Sequence, residues 1–168
     1  MLSFHHADHS PTLLTMDRSA HWKPEYGYLH GFGSAYFDPT LYYHWQDNRM
    51  HCGLVVVTWQ LVDHGPGDGG FVCVPGSHKS NLPGPQGLYH FRDHQDLVVQ
   101  ETCKAGDCIV FSESLTHGTA RWRAAHQRRS VLFRYSPANS AYGECRPFLF
   151  TFRGAHQAVN CYLTALPP

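Results

Sequence analysis

A chain of 168 residues, 42% of them hydrophobic, is long enough to close one core and too short for two full-sized domains. Its 13 basic and 13 acidic residues cancel and charged residues are only 15% of the total, so the composition gives no basis for electrostatic capture of nucleic acid or of an anionic membrane. The longest apolar run, residues 54–57, is far below a membrane span, and the opening MLSFHHADHS has neither the basic region nor the apolar core of a signal peptide; the expectation is a cytoplasmic chain whose six cysteines, with no CxxC pair, stay reduced.

Along the chain, short β-branched and aromatic runs recur between Gly, Pro, Asn and Asp turns, and no helix-length amphipathic repeat stands out. The predicted strands are residues 12–16, 54–62, 71–74, 97–101, 108–111 and 130–135. Residues 26–48, rich in Gly, Tyr and Pro, read as a long loop, and loops of that length are commonly functional. Connectors full of breakers follow at 64–70 (HGPGDGG), 75–87 and 104–107 (KAGD). Residues 147–152 (PFLFTF) have the composition of a further strand, and the tail 143–168 has no clear pattern beyond it. Many short strands with such turns belong to a sandwich, a jelly roll or a barrel.

There are 14 histidines, more than either sign of charge, so position rather than abundance has to single out a site. In residues 116–135, THGTARWRAAHQRRSVLFRY, His117 follows the apolar run CIVF and an SESLT connector. Arg128 stands eleven residues further on, at the mouth of the next strand. An iron site that uses 2-oxoglutarate needs a neutral imidazole on Fe(II) and, one cosubstrate length away, a guanidinium that pairs with the distal carboxylate. Alternation puts Arg128, Ser130 and Leu132 on one face of the strand, with the small Ser130 leaving room for a ligand. Surface arginines on an edge strand would show the same spacing, so spacing alone leaves both readings open.

Two longer segments narrow the choice. Residues 58–81, TWQLVDHGPGDGGFVCVPGSHKSN, and residues 105–137, AGDCIVFSESLTHGTARWRAAHQRRSVLFRYSP, occur in the order and spacing of the phytanoyl-CoA dioxygenase family. The chain resembles that family over about 80 residues. The resemblance implies an all-β double-stranded β-helix (a cupin-like jelly roll) over residues 1–168, with a motif core at 54–137. It also implies Fe(II), 2-oxoglutarate and O2 acting on a small-molecule or lipid-like substrate. Carried over by position, His117 is a metal histidine and Arg128 the partner of 2-oxoglutarate. Thr119 and Trp59 match positions that line the cosubstrate pocket, and His78 in PGSHK belongs to a structural turn.

The other half of the metal site departs from the family pattern, which wants His-x-Asp/Glu ahead of the Trp-containing strand. His94-Gln95-Asp96 comes too late, and His6-Ala7-Asp8 lies 53 residues before Trp59. His30, in the stretch LHG 29 residues before Trp59, is the better positional match, and Phe32 stands where the acid is expected. Three readings follow: a carboxylate from elsewhere, with Asp38 or Asp47 nearest; an open position for chloride, as in related halogenases; or a weakened site. His44 and His51 are fallback ligands. A jelly roll that kept its fold and lost its chemistry, serving as a binding module, is the alternative outside enzymes.

Overall fold

Alternation of burial along residues 55–60 sets the architecture. In β4 (Val55–Gln60), Val56, Thr58 and Gln60 are buried, while Val55, Val57 and Trp59 are partly or fully exposed, the period-two pattern of a strand with one inward face. This is a computed structural model; it describes residues 4–16 (backbone only), 29–31, 41–80 and 82–137.

β4 pairs antiparallel with β9 (Arg128–Pro137) on one side and β7 (Cys108–Ser112) on the other. With β1 (Phe4–Met16) beside β9, they form a sheet of order β1-β9-β4-β7. A second antiparallel sheet, of order β6-β5-β8, consists of β5 (Gly70–Cys73), β6 (Val99–Gln100) and β8 (His117–Ala120). Val56 and Phe111 of the first sheet pack against Phe71 and Cys73 of the second, so the two sheets face each other across one core. Val72 points the other way, onto Leu29 and onto Leu88 and Tyr89 of the short helix α1 (Gln86–Tyr89). β5 is therefore buried on both faces. Two facing antiparallel sheets with almost no helix are the jelly roll expected from the sequence.

Three local expectations change. Part of the stretch read as a loop is a hairpin, β2 (Tyr43–Gln46) with β3 (Arg49–Cys52), closed by Asp47 and Asn48 at φ 51° and 58°; both residue types tolerate the left-handed region that tight hairpin turns require. The strand predicted at 97–101 shrinks to β6, because a 3₁₀ turn takes up Gln95–Leu97. β8 has no counterpart among the predicted strands. The strand expected at 147–152 and the tail at 143–168 lie outside the described residues. No helix among the described residues is long and apolar enough to cross a membrane.

Candidate metal centre

β7 and β8 belong to opposite sheets, and the chain crosses between them through residues 113–116. Leu115 N–H donates to Ser112 O at 2.9 Å and Thr116 N–H to Ser77 Oγ at 2.8 Å, which pins the crossing to β7 and to the PGSHK turn. His117 opens β8, and His30 bridges to it: each backbone N–H donates to the other residue's carbonyl at 2.8 Å. Residues paired this way send their side chains to the same side, and the two imidazole rings stand 4.2 Å apart. Gly31 makes the approach possible. Its φ is +136°, and a Cβ there would lie 2.3 Å from Leu115 O, so only glycine follows His30 without moving the crossing.

Glu113 completes the cluster from the first residue of the crossing. Its Oε1 is 3.6 Å from His30 Nε2 and 3.9 Å from His117 Nε2, and the three ligand atoms lie within 4.8 Å of one another. These separations are too long for hydrogen bonds. Donors bound at about 2.1 Å to one ion stand about 3.0 Å apart at right angles and about 3.6 Å apart at 120°, so a modest inward movement closes all three on a cation.

The protonation states suit that role. His117 Nδ1 is 2.7 Å from Leu115 O; a carbonyl only accepts, so Nδ1 carries the proton and Nε2 presents its lone pair. Burial, and then the neighbouring His30, hold His117 below the usual imidazole range despite the opposing pull of Glu113. Burial pushes the Glu113 carboxyl up, but His30, His117 and Arg134 outweigh it and the net direction is down. Two imidazoles and one carboxylate form the donor set of a non-haem Fe(II) site with positions left open. His117 is almost wholly buried, whereas the His30 side chain is 57% exposed and marks the mouth.

The same cavity, about 170 Å³, takes in Thr58, Thr119 and Arg128. That is below the roughly 300 Å³ of a drug-sized pocket and suits a small acid. Arg128 is 3% exposed, and burial draws its guanidinium pKa down. Gly70 adjoins it at φ +86°, a conformation that side-chain-bearing residues rarely adopt, and a Cβ there would make only ordinary contact, at 3.5 Å, with Arg128 Nε and the Trp122 ring. Gln60 Nε2 donates to Thr58 Oγ1 at 3.2 Å, so the adjoining wall of β4 is polar.

Of the residues singled out from the sequence, His30, His117, Thr119 and Arg128 meet in this one cavity. Trp59 does not. It is 41% exposed on the outer face of β4, and Thr58, one residue away, occupies the wall where Trp59 was expected. Asp47 sits exposed in the hairpin turn, and Asp38 lies outside the described residues. The carboxylate that stands beside the two imidazoles is Glu113, which the sequence reading did not single out. Its signal is an acid four residues before His117 across a turn, rather than two residues beyond His30 on a strand. His44 and His51 stack on each other in the hairpin, and His78 rests edge-on against Tyr43 at 4.6 Å.

The fold is a jelly roll of facing antiparallel sheets, with a His–Glu–His cluster and a buried arginine around one cavity. The chain belongs to the phytanoyl-CoA dioxygenase family, whose model matches residues 25–130, more than half of it. Among solved structures it is similar to HygX from Streptomyces hygroscopicus with nickel, 2-oxoglutarate and hygromycin B bound, at 28% identity and TM-score 0.57, over 67% of this chain and 50% of that one. It is also similar to iron-bound HygX from the same organism, at 26% identity and TM-score 0.59, over 75% of this chain and 56% of that one. The chain thus spans about half the length of these solved relatives. No curated protein matches it by sequence.

Proposed function

We propose that the protein is an Fe(II)- and 2-oxoglutarate-dependent dioxygenase that hydroxylates a small organic molecule. Ferrous iron with 2-oxoglutarate supplies the oxidising power that turns O2 against a C–H bond. His30, Glu113 and His117 would hold the metal, and Arg128 would pair with the distal carboxylate of the cosubstrate beside Thr119. Leu115 O fixes the His117 ring so that Nε2 faces the ion. Val56, Phe71, Phe111 and Leu132 wall the cavity with apolar surface, which excludes water from the reacting groups.

The single observation that carries this reading is the His–Glu–His cluster in one cavity with a buried arginine. Iron and 2-oxoglutarate bound in the similar HygX structures support it. Glu113 also favours hydroxylation over halogenation, because it supplies the carboxylate whose absence at position 32 raised the chloride reading. A full donor set likewise weighs against an inactive binding module. The free thiols of Cys52 and Cys73 and the ferrous ion both suit a reducing compartment, consistent with the cytoplasm.

The test is an anaerobic Fe(II) titration of the protein with 2-oxoglutarate, followed by the visible metal-to-ligand charge-transfer band. Arg128→Ala should keep Fe(II) and weaken 2-oxoglutarate by about tenfold or more, the usual scale for losing a charged hydrogen-bond pair. Wild-type protein without a band, or an Arg128→Ala variant that binds 2-oxoglutarate normally, would refute the assignment.

A further inference from the structure

β9 brings to the cavity a second arginine that the proposed chemistry has not used. Arg128, Leu132 and Arg134 share the inward face of the strand, and all three line the cavity. Six residues of strand span about 20 Å, so the two guanidinium groups enter the cavity from opposite ends. Their electrostatic neighbours differ accordingly. The charge of Arg134 acts on Glu113 and His117, whereas that of Arg128 acts on the buried His64. Arg134 is half-buried, and among the described side chains, which leave out Asp8 across the sheet from it, no carboxylate oxygen lies within the 4.0 Å of an ion pair with it. A permanent cation thus stands near the metal cluster without closing on its one carboxylate.

We propose that Arg134 anchors the metal-proximal carboxylate of 2-oxoglutarate, so that β9 grips both ends of the dicarboxylate. This rests on the cosubstrate reading above. A 2-oxo acid that chelates an ion through its ketone and adjacent carboxylate brings a second anion alongside Glu113. Two like charges at one end of a small cavity repel each other, and a guanidinium beside them offsets that repulsion while offering a planar pair of donors. Arg128 answers the distal carboxylate, Arg134 the proximal one. Arg134 binds and orients; it exchanges no proton, since a guanidinium stays charged.

The two arginines can be told apart with a truncated cosubstrate. Pyruvate keeps the ketone and its adjacent carboxylate and lacks the distal one. Ni(II)-loaded protein, which binds without turnover, is titrated by calorimetry with 2-oxoglutarate and with pyruvate up to tens of millimolar. Arg128→Ala should weaken 2-oxoglutarate about tenfold or more and leave pyruvate within about twofold. Arg134→Ala should weaken both ligands by a similar factor, and Arg134→Lys should recover part of the loss, because it keeps the charge and loses the fork. Ni(II) affinity and thermal melting of each variant report folding, with Arg134→Gln replacing an alanine variant that does not fold. Pyruvate binding unchanged in Arg134→Ala would overturn the proposal and leave Arg134 free to meet an anionic substrate. Wild-type protein that fails to bind pyruvate would overturn it too. If instead Arg128→Ala leaves 2-oxoglutarate untouched, the cosubstrate reading falls, while the pyruvate titrations still decide whether Arg134 holds a 2-oxo acid.

Discussion

His30 with His117, and His44 with His51, are both cross-strand pairs in antiparallel register, yet their surroundings are opposite. The rings of His44 and His51 stack nearly parallel, 4.8 Å apart at 10°, on a hairpin where His44 is exposed, and no acid joins them into a ligand group among the described residues. His117 is buried, its Nδ1 is tied to Leu115 O, and Glu113 stands within 4 Å of both its own ring and that of His30. Cross-strand pairing brings two imidazoles together at little cost. A site for a divalent ion further needs an anionic partner, a fixed tautomer and partial exclusion of water.

Four variants break or sharpen that contrast. The largest effect is expected from His117→Ala, which removes the buried imidazole proposed as a ligand and should weaken Fe(II) or Ni(II) by more than about a hundredfold, beyond the usual cost of losing a group that merely orients a ligand. The double change His44→Ala with His51→Ala should leave affinity within about twofold. Calorimetric metal titration reads both, and equal losses would erase the distinction between the pairs.

Glu113→Ala comes next, with an expected loss of metal affinity of about a hundredfold, at or above the top of the range for a group that only orients a ligand. The same variant opens the position that a halide would need. If it binds metal as well as wild type, Glu113 is not a ligand. Gly31→Ala should have the smallest direct effect on the ion and a larger one on the fold. Strain at positive φ and the clash with Leu115 O should together cost about 1–3 kcal/mol, read as a lower urea midpoint with a parallel fall in metal affinity. An unaltered midpoint would mean that the crossing is softer than its geometry indicates.

How much of this was legible beforehand depends on the residue. The strands β4, β5, β7 and β9 show in the sequence as β-branched and aromatic runs. β8 does not, because HGTA carries no strand signal of its own and becomes a strand by pairing with β5. Trp59 was misplaced for an instructive reason. Its place came from a positional match to the family, whereas alternation along β4 turns Thr58 and Gln60 inward and leaves Trp59 on the outer face. Glu113 was hidden because its partner histidine on the early segment lies 83 residues away. Only the bridge between His30 and β8 brings that carboxylate to both rings.

The most direct test is a crystal structure of the protein grown anaerobically with Fe(II), with anomalous scattering at the iron edge to locate the ion. One peak is expected between His30 Nε2, Glu113 Oε1 and His117 Nε2, with each bond near the roughly 2.0–2.2 Å known for nitrogen and oxygen ligands of a similar ion. Iron bound without Glu113, or held between His44 and His51 instead, would contradict the account.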